Sequence, residues 1–245
     1  MESKKYISMK DMAKKLGVSI PTISRALKNS PEISDQLCEK VKRLAKDMNY
    51  RPNPFAMSLR KNAPRTIGVI VPDIVTHFFS SIVKGIEEAA VANGYFVIIT
   101  TSSENSEHEK RNVENLVNMR VEGIIACLSQ DTTDYSHFLA LKDINMPVVL
   151  FDRTCMPDKF STVIADGAKS AQMATQHFID NGSHRIAFIG GPNHLDIVRR
   201  RKHGYLEALR ANKIPIEKEL VVCRKIDYQE GKIAAEPPLM LLVTS

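Results

Sequence analysis

Between Gly17 and Lys28 the chain reads GVSIPTISRALK, a stretch that crowds hydroxyl and cationic side chains together and holds few large apolar groups. Hydroxyls, arginine and lysine at that density suit a polyanion, for which they are donors and counter-charges. On a helix advancing about 100° per residue, Ser24, Arg25 and Lys28 fall within about 60° of Pro21. Ile23, Ala26 and Leu27 gather on the opposite side. One face packs; the other is offered to a partner. A DNA major groove admits one α-helix, whose early residues reach base edges. On that reading Arg25 pairs bidentately with a guanine, and Ser19, Thr22, Ser24 and Lys28 serve bases or phosphates. By spacing alone, the same residues also make a solvated face on any small helical bundle.

The elements that position this stretch are legible around it. Ser8 caps a first helix through Leu16, which Gly17 ends. Ser19 caps a second, spanning 19–28, with Pro21 in its first turn, where a missing N–H costs little. Ser34 caps a third with Asp35 at its positive end, and Leu37, Val41, Leu44 and Met48 recur at helical spacing. Two short helices joined by a tight turn, then a third, describe a helix-turn-helix bundle.

Charge separates this bundle from the rest. Residues 1–65 carry 15 Lys and Arg against 6 Asp and Glu, a net of +9, while the remainder carries 19 against 22, a net of −3. All of the excess positive charge lies in the first quarter, which implies a polyanion-binding head on a near-neutral body. Residues 51–65, RPNPFAMSLRKNAPR, have the composition of a linker. Beyond Thr66 the pattern changes. The runs TIGVIV, YFVIIT, GIIACL, PVVLF and RIAFIG have the length and branching of buried parallel strands, and amphipathic segments 78–92, 106–119, 168–180 and 196–212 alternate with them. This alternation predicts a doubly wound parallel sheet. STVIAD at 161–166, with a helix starting at Gly167, is a candidate opening for a second such unit.

Other classes of function find little support. Cys38, Cys127, Cys155 and Cys223 are scattered without CxxC spacing, so no disulfide framework or cysteine metal site is expected and the reduced cytoplasm is the natural setting. MESKKYISMK has no signal-peptide core, and no run approaches the length of a membrane span. There is no G-x-S-x-G, P-loop or H-E-x-x-H, and the histidines are dispersed. Gly190 and Gly191 are a weak phosphate signal that a plain strand-to-helix turn explains as well. No cofactor and no catalysis are expected.

The wording ISMKDMAKKLGVSIPTISRALKNSPEISDQLCEKVKRLAKDMNYRPNPFAMSLRKN, residues 7–62, closely resembles the DNA-binding head of LacI/GalR-type bacterial transcription regulators. The resemblance implies that Ile20, Pro21 and Arg25 occupy base-reading positions. Pro21 cannot hydrogen-bond a base, so reading there is by shape or methyl contact. It also implies that NPFAMSLRKN, from Asn53, is a hinge helix that forms on operator DNA and enters the minor groove beside its dimer mate. Ala56 and Leu59 share one face of it, and Leu59 matches a leucine wedge that pries open a base step.

The body resembles the family's periplasmic-binding-protein-like regulatory module through IGVIVPDIVTHFFSSIVKGIEEAAVANGY, VEGIIACLS, PVVLFDR and HRIAFIGGP. Ligands of open parallel sheets bind beyond the strand carboxyl ends. That puts Asp73, Phe78 and Phe79 after the first strand, and Asp152 with Arg153 after the fourth, near an effector cleft. RRRKHGYLEAL fits an arginine three residues before a glycine, which makes Arg201 the expected effector contact. Phe78 and Phe79 also fit a core role. The implied organisation is an all-α helix-turn-helix head (1–50), a hinge or linker (51–65), and an α/β periplasmic-binding-protein-like body (66–163 and 164–245) incomplete at the C-terminus.

The family would continue past DYQEGKIAAE through further strand–helix units, whereas here PPLMLLVTS follows. The expectation on sequence is a shortened regulatory module with unpaired strand edges, weakened dimer contacts and a weakly held effector. The implied function is a repressor that binds double-stranded operator DNA as a homodimer under control of a sugar or nucleobase effector, with no membrane partner. One rival reading is a free-standing small-molecule-binding protein of periplasmic type, against which the basic head and the absent signal peptide argue. The other is an α/β enzyme, against which the lack of a nucleophile, base or metal cluster in the sequence argues. The wedge assignment is testable directly: Leu59→Ala should reduce operator bending and specific affinity while the head stays folded, and equal bending in permuted-site gel mobility would rule it out.

Overall fold

The computed structural model describes residues 7–50 and 65–243, with side chains through residue 236. The chain divides between residues 64 and 65 into two compact units. In the first, α1 (Met9–Leu16) starts at a reciprocal cap. The Ser8 hydroxyl accepts the Asp11 N–H at 3.3 Å, and the Asp11 carboxylate accepts the Ser8 N–H at 2.9 Å. Two backbone donors that the helix end would strand are thereby paired. Gly17 closes the helix at φ +67°, a left-handed conformation that glycine adopts at least cost.

Ser19 caps α2 (Ile20–Ala26) by accepting the Thr22 N–H at 3.3 Å, with Pro21 in the first turn. This helix is shorter than the expected 19–28 span, so Lys28 lies in the turn beyond it. α3 (Asp35–Asp47) has Ser34 at its N-cap, but the serine side chain makes no cap bond, contrary to expectation. Asp35 in the first turn is left to complement the helix's positive end. Met12 and Ala13, Ile23 and Ala26, Cys38 and Val41 form one buried cluster, each helix supplying a pair, so the core closes only with all three in place.

The second unit opens with β1 (Arg65–Val71), α4 (His77–Ala92), β2 (Tyr95–Thr101), α5 (Ser106–Asn118), β3 (Gly123–Ala126), α6 (Ser136–Asp143), β4 (Val148–Phe151) and β5 (Ser161–Val163). The strands make a wholly parallel sheet in the order β2-β1-β3-β4-β5. Alternation along the strands serves two cores. Val69, Val71, Cys127 and Phe151 cluster with Phe79 and Val83 of α4. Ile70, Ile124, Ala126, Val148 and Leu150 cluster with Val113 and Leu116 of α5 and with Phe138 and Leu141 of α6. Both faces of the sheet are covered, which is why its strands read as continuous apolar runs.

The chain continues through α7 (Gly167–Asp180), β6 (Phe188–Gly190), α8 (Asp196–Ala211), β7 (Val221–Cys223) and α9 (Tyr228–Val243). β6 and β7 pair in parallel. STVIAD does not open this second sheet. Ser161, Thr162 and Val163 instead align with Val149, Leu150 and Phe151 at the edge of the large sheet, where β4 would otherwise keep unpaired backbone groups. The four cysteines are free thiols. Among the described residues no helix is long and apolar enough to cross a membrane.

α7 and α8 touch backbone to side at Gly204, where an added Cβ would lie 1.9 Å from the carbonyl oxygen of Ala168. Gly204→Ala should therefore force the two helices apart and lower the stability of the 65–243 unit by about 2–3 kcal/mol. A denaturant midpoint unchanged from the parent would refute this packing.

Candidate functional site

On the head, Ile20, Pro21 and Arg25 are exposed along α2, as is Lys28 in the turn beyond it. The Ser19 and Thr22 hydroxyls lie 2.8 Å apart, so both are engaged with each other at the start of the helix. An exposed isoleucine beside a proline offers only apolar surface, which fits contact with a thymine methyl. The guanidinium of Arg25 projects outward and pairs with Glu32 at 3.0 Å. Ser24 is a correction: the wheel puts it on the outer face, but it is buried. It sits at the edge of that arc next to buried Ile23, and a short side chain there is covered where a longer one would reach out. Asn53, Ala56 and Leu59 lie outside the described residues.

In the body, a cavity of about 680 Å³ opens beyond the carboxyl ends of the strands. Asp73, Phe78, Phe79, Asp152 and Arg201, the five residues expected there, all line it. Asp73 is partly committed to the fold, because its Oδ1 accepts the N–H groups of Val75 and Thr76 at 2.9 and 2.8 Å ahead of α4. Phe79 belongs to the core and packs edge-on against Phe78, which is half exposed and presents its ring to the cavity.

Of the five expected residues, Asp152 and Arg201 carry the uncommitted charges. The Asp152 carboxylate accepts no hydrogen bond among the described residues, and Arg201 makes no ion pair or hydrogen bond among them. Burial pushes the Asp152 carboxyl above its ordinary value of 3.8, a rise that the positive charges of Arg153 and Arg201 oppose. Its backbone is held at φ +55°. The turn that follows β2 has the same signature, with Ser103 at +53° and Glu104 at +57°. Left-handed conformations in non-glycine residues cost on the order of 1 kcal/mol or more each, and two of them, Glu104 and Asp152, line the cavity.

The cavity floor is built from pairings that sequence does not announce. Arg153, buried, donates from Nη1 to Glu104 at 2.6 Å and to the Leu128 carbonyl at 3.4 Å, with its guanidinium 6.0 Å from the Phe79 ring centroid. Glu104 also accepts the Gln130 N–H at 2.8 Å, and the Gln130 side chain accepts the N–H of Ile226 at 2.7 Å. Ile226, with Lys225 and Asp227, lines the opposite wall. The loop carrying Gln130 is anchored by buried Glu109, which accepts from the Ser129 N–H, the Thr132 hydroxyl and His137 Nε2 at 2.6, 3.0 and 2.8 Å. No periodicity announces these pairings, which join residues 20 to 96 positions apart.

Carboxylates and cations line this cavity together with the Phe78 ring, a set that offers both acceptors and donors to a polyhydroxylated ligand. Among the described residues no three His, Cys, Asp or Glu side chains are grouped to hold a metal ion.

Two family models match the chain. One, bacterial regulatory proteins of the lacI family, covers residues 8–53; the other, periplasmic binding proteins and sugar binding domain of LacI family, covers residues 64–241. The HTH-type transcriptional repressor CytR of Escherichia coli (strain K12) is 31% identical over 235 residues, which are 96% of this chain and 68% of that protein. Among solved structures, the transcription regulator CcpA of Lactococcus lactis matches with a TM-score of 0.66 and 30% identity over 71% of this chain and 64% of that one. The lac repressor dimer bound to operator and the anti-inducer ONPF matches with a TM-score of 0.67 and 26% identity over 90% of this chain and 66% of that one. The chain spans about two thirds of the length of these relatives.

A carboxyl with a raised folded-state pKa binds its proton more tightly when folded, so its ionisation subtracts stability as pH rises above the ordinary value of 3.8. Asp152→Asn keeps the tolerance for positive φ and removes that charge. It should raise the melting temperature of the unliganded protein at pH 7 while the advantage fades toward pH 4. A lower melting temperature at pH 7 would show that Asp152 is instead satisfied in the fold.

Proposed function

Because the chain belongs to the LacI family of bacterial regulatory proteins and carries that family's DNA-binding domain, we propose that it is a cytoplasmic transcriptional repressor acting by binding rather than by catalysis. Its α2 enters the major groove of double-stranded operator DNA, with Arg25 reading a guanine and Ile20 and Pro21 fitting base edges by shape. Ser19, Thr22 and Lys28 secure the backbone, and Asn53, Ala56 and Leu59 belong to a minor-groove hinge. A homodimer places two such heads on a near-palindromic site, as the lac repressor relative is a dimer on its operator.

The body binds a small polyhydroxylated effector, a sugar or the sugar of a nucleoside, in the 680 Å³ cavity. Asp152 accepts from its hydroxyls, Arg201 donates to its oxygens, and the Phe78 ring covers its apolar face. The observation that carries the reading is the coincidence of an exposed arginine on the second helix of a basic three-helix head with two uncommitted opposite charges in a cleft of sugar size.

The test is selection of duplexes from a random library by the purified chain, followed by substitution. Arg25→Ala should cost about 1–3 kcal/mol on the selected site and flatten the preference at one base pair. Lys28→Ala should weaken all sequences alike and reduce the salt slope. An unchanged ratio of specific to random binding in Arg25→Ala would overturn the assignment of α2.

A further inference from the structure

We propose that Glu32 is the residue that sets the sequence discrimination of the head, by holding Arg25 in its base-reading pose and opposing every other use of it. The proposal rests on the reading of α2 as the helix that enters the major groove.

Glu32 lies between α2 and α3, and its position is not left to a loose loop. The Ser30 N–H donates to the carbonyl of Arg25 itself at 3.1 Å, and Asn29, at φ +52°, donates to Ala26 at 3.2 Å. Pro31 precedes Glu32 with its φ fixed by the ring. Ile33 follows it, packs against the three-helix core and donates to the Ser30 carbonyl at 3.0 Å. From the backbone so placed, the Glu32 carboxylate meets Arg25 Nη1 at 3.0 Å.

A guanidinium has five donors in a fixed plane, and one edge spent on Glu32 leaves others to meet guanine O6 and N7. In water the pair adds little to stability, since both side chains are more than half exposed and solvent screens them. At the DNA surface the balance changes. Water is excluded, and a carboxylate brought near phosphates is tolerable only while its cation stays beside it. On the right base pair Arg25 serves guanine and Glu32 together. On a wrong one, the edge held toward the base finds no acceptor, and swinging it round to a phosphate would leave Glu32 unpaired in a negative field, so non-specific binding is penalised. Glu32 itself touches no base. It is a positioning residue, and its effect must appear at the base pair that Arg25 reads.

Glu32→Gln keeps the shape and removes the charge. Measured on the duplex selected by the parent chain and on a random-sequence duplex of equal length, it should tighten random binding and lower the specific-to-random ratio by about tenfold. Systematic single-base variants of the selected duplex should show the loss confined to the pair that Arg25→Ala also flattens. The double variant Arg25→Ala/Glu32→Gln should discriminate no worse than Arg25→Ala alone, because the two act as one unit. Equal changes on both duplexes, a loss spread evenly over all positions, or additive effects in the double variant would each overturn the proposal. If the parent chain selects no sequence and Arg25→Ala changes nothing, the DNA-reading role of α2 falls first, and this proposal with it.

Discussion

All five strands of the large sheet run in one direction, and that constraint organises the body. Parallel strands return only through crossovers, so helices cover both faces, and every strand releases its chain at the same edge. Asp73 leaves β1 there, Glu104 leaves β2, and Asp152 leaves β4. Three carboxylates are brought to one rim by direction of travel alone, before any side chain interacts. The strand order reverses about β1, which keeps the crossovers on β1's two sides apart and opens the crevice in between.

Concentrating like charge at one edge has a cost, and the structure offsets it unevenly. Glu104 is neutralised by buried Arg153 and pinned further by the Gln130 N–H. Asp73 is consumed to some extent by the turn into α4. Asp152 is left with charges nearby but no bond. Of the three, two hold the site's walls in place and one stays available. Glu109 has a comparable role in the layer beneath. It is a carboxylate with no exposure, its acceptors filled by a backbone N–H, a hydroxyl and an imidazole, and it ties the 129–132 loop to α5 and α6.

Local pattern carried most of the fold into view. Branched apolar runs marked β1 through β4, and amphipathic spacing marked α4, α5, α7 and α8 close to their observed bounds. What escaped notice had weak local signal. α6, SHFLALKD, is eight residues with little amphipathic contrast, and β7 has only three residues. All five expected cavity residues line the cavity because they follow strand ends or lie on the helix facing them, and those places are readable. Glu104, Arg153 and Gln130 act through partners far along the chain, and a left-handed turn at Ser103 and Glu104 has no glycine to announce it. On the head, periodicity separated inside from outside well enough to place Ile23 and Ala26, and failed only at Ser24, on the border between the two arcs.

The contact between Gln130 and Ile226 joins two unlike kinds of group, a side-chain oxygen on one wall and a main-chain N–H on the other. A main-chain N–H is common to every amino acid but proline, so the hydrogen bond is indifferent to which of the others stands at position 226. The side chain there is then at liberty to follow whatever molecule occupies the cavity. Position 130 has less latitude, because only a side chain of that length ending in an oxygen acceptor reaches the N–H. A fold wired in this manner can exchange one ligand for another across generations by altering one wall, without re-inventing the join that holds the walls together.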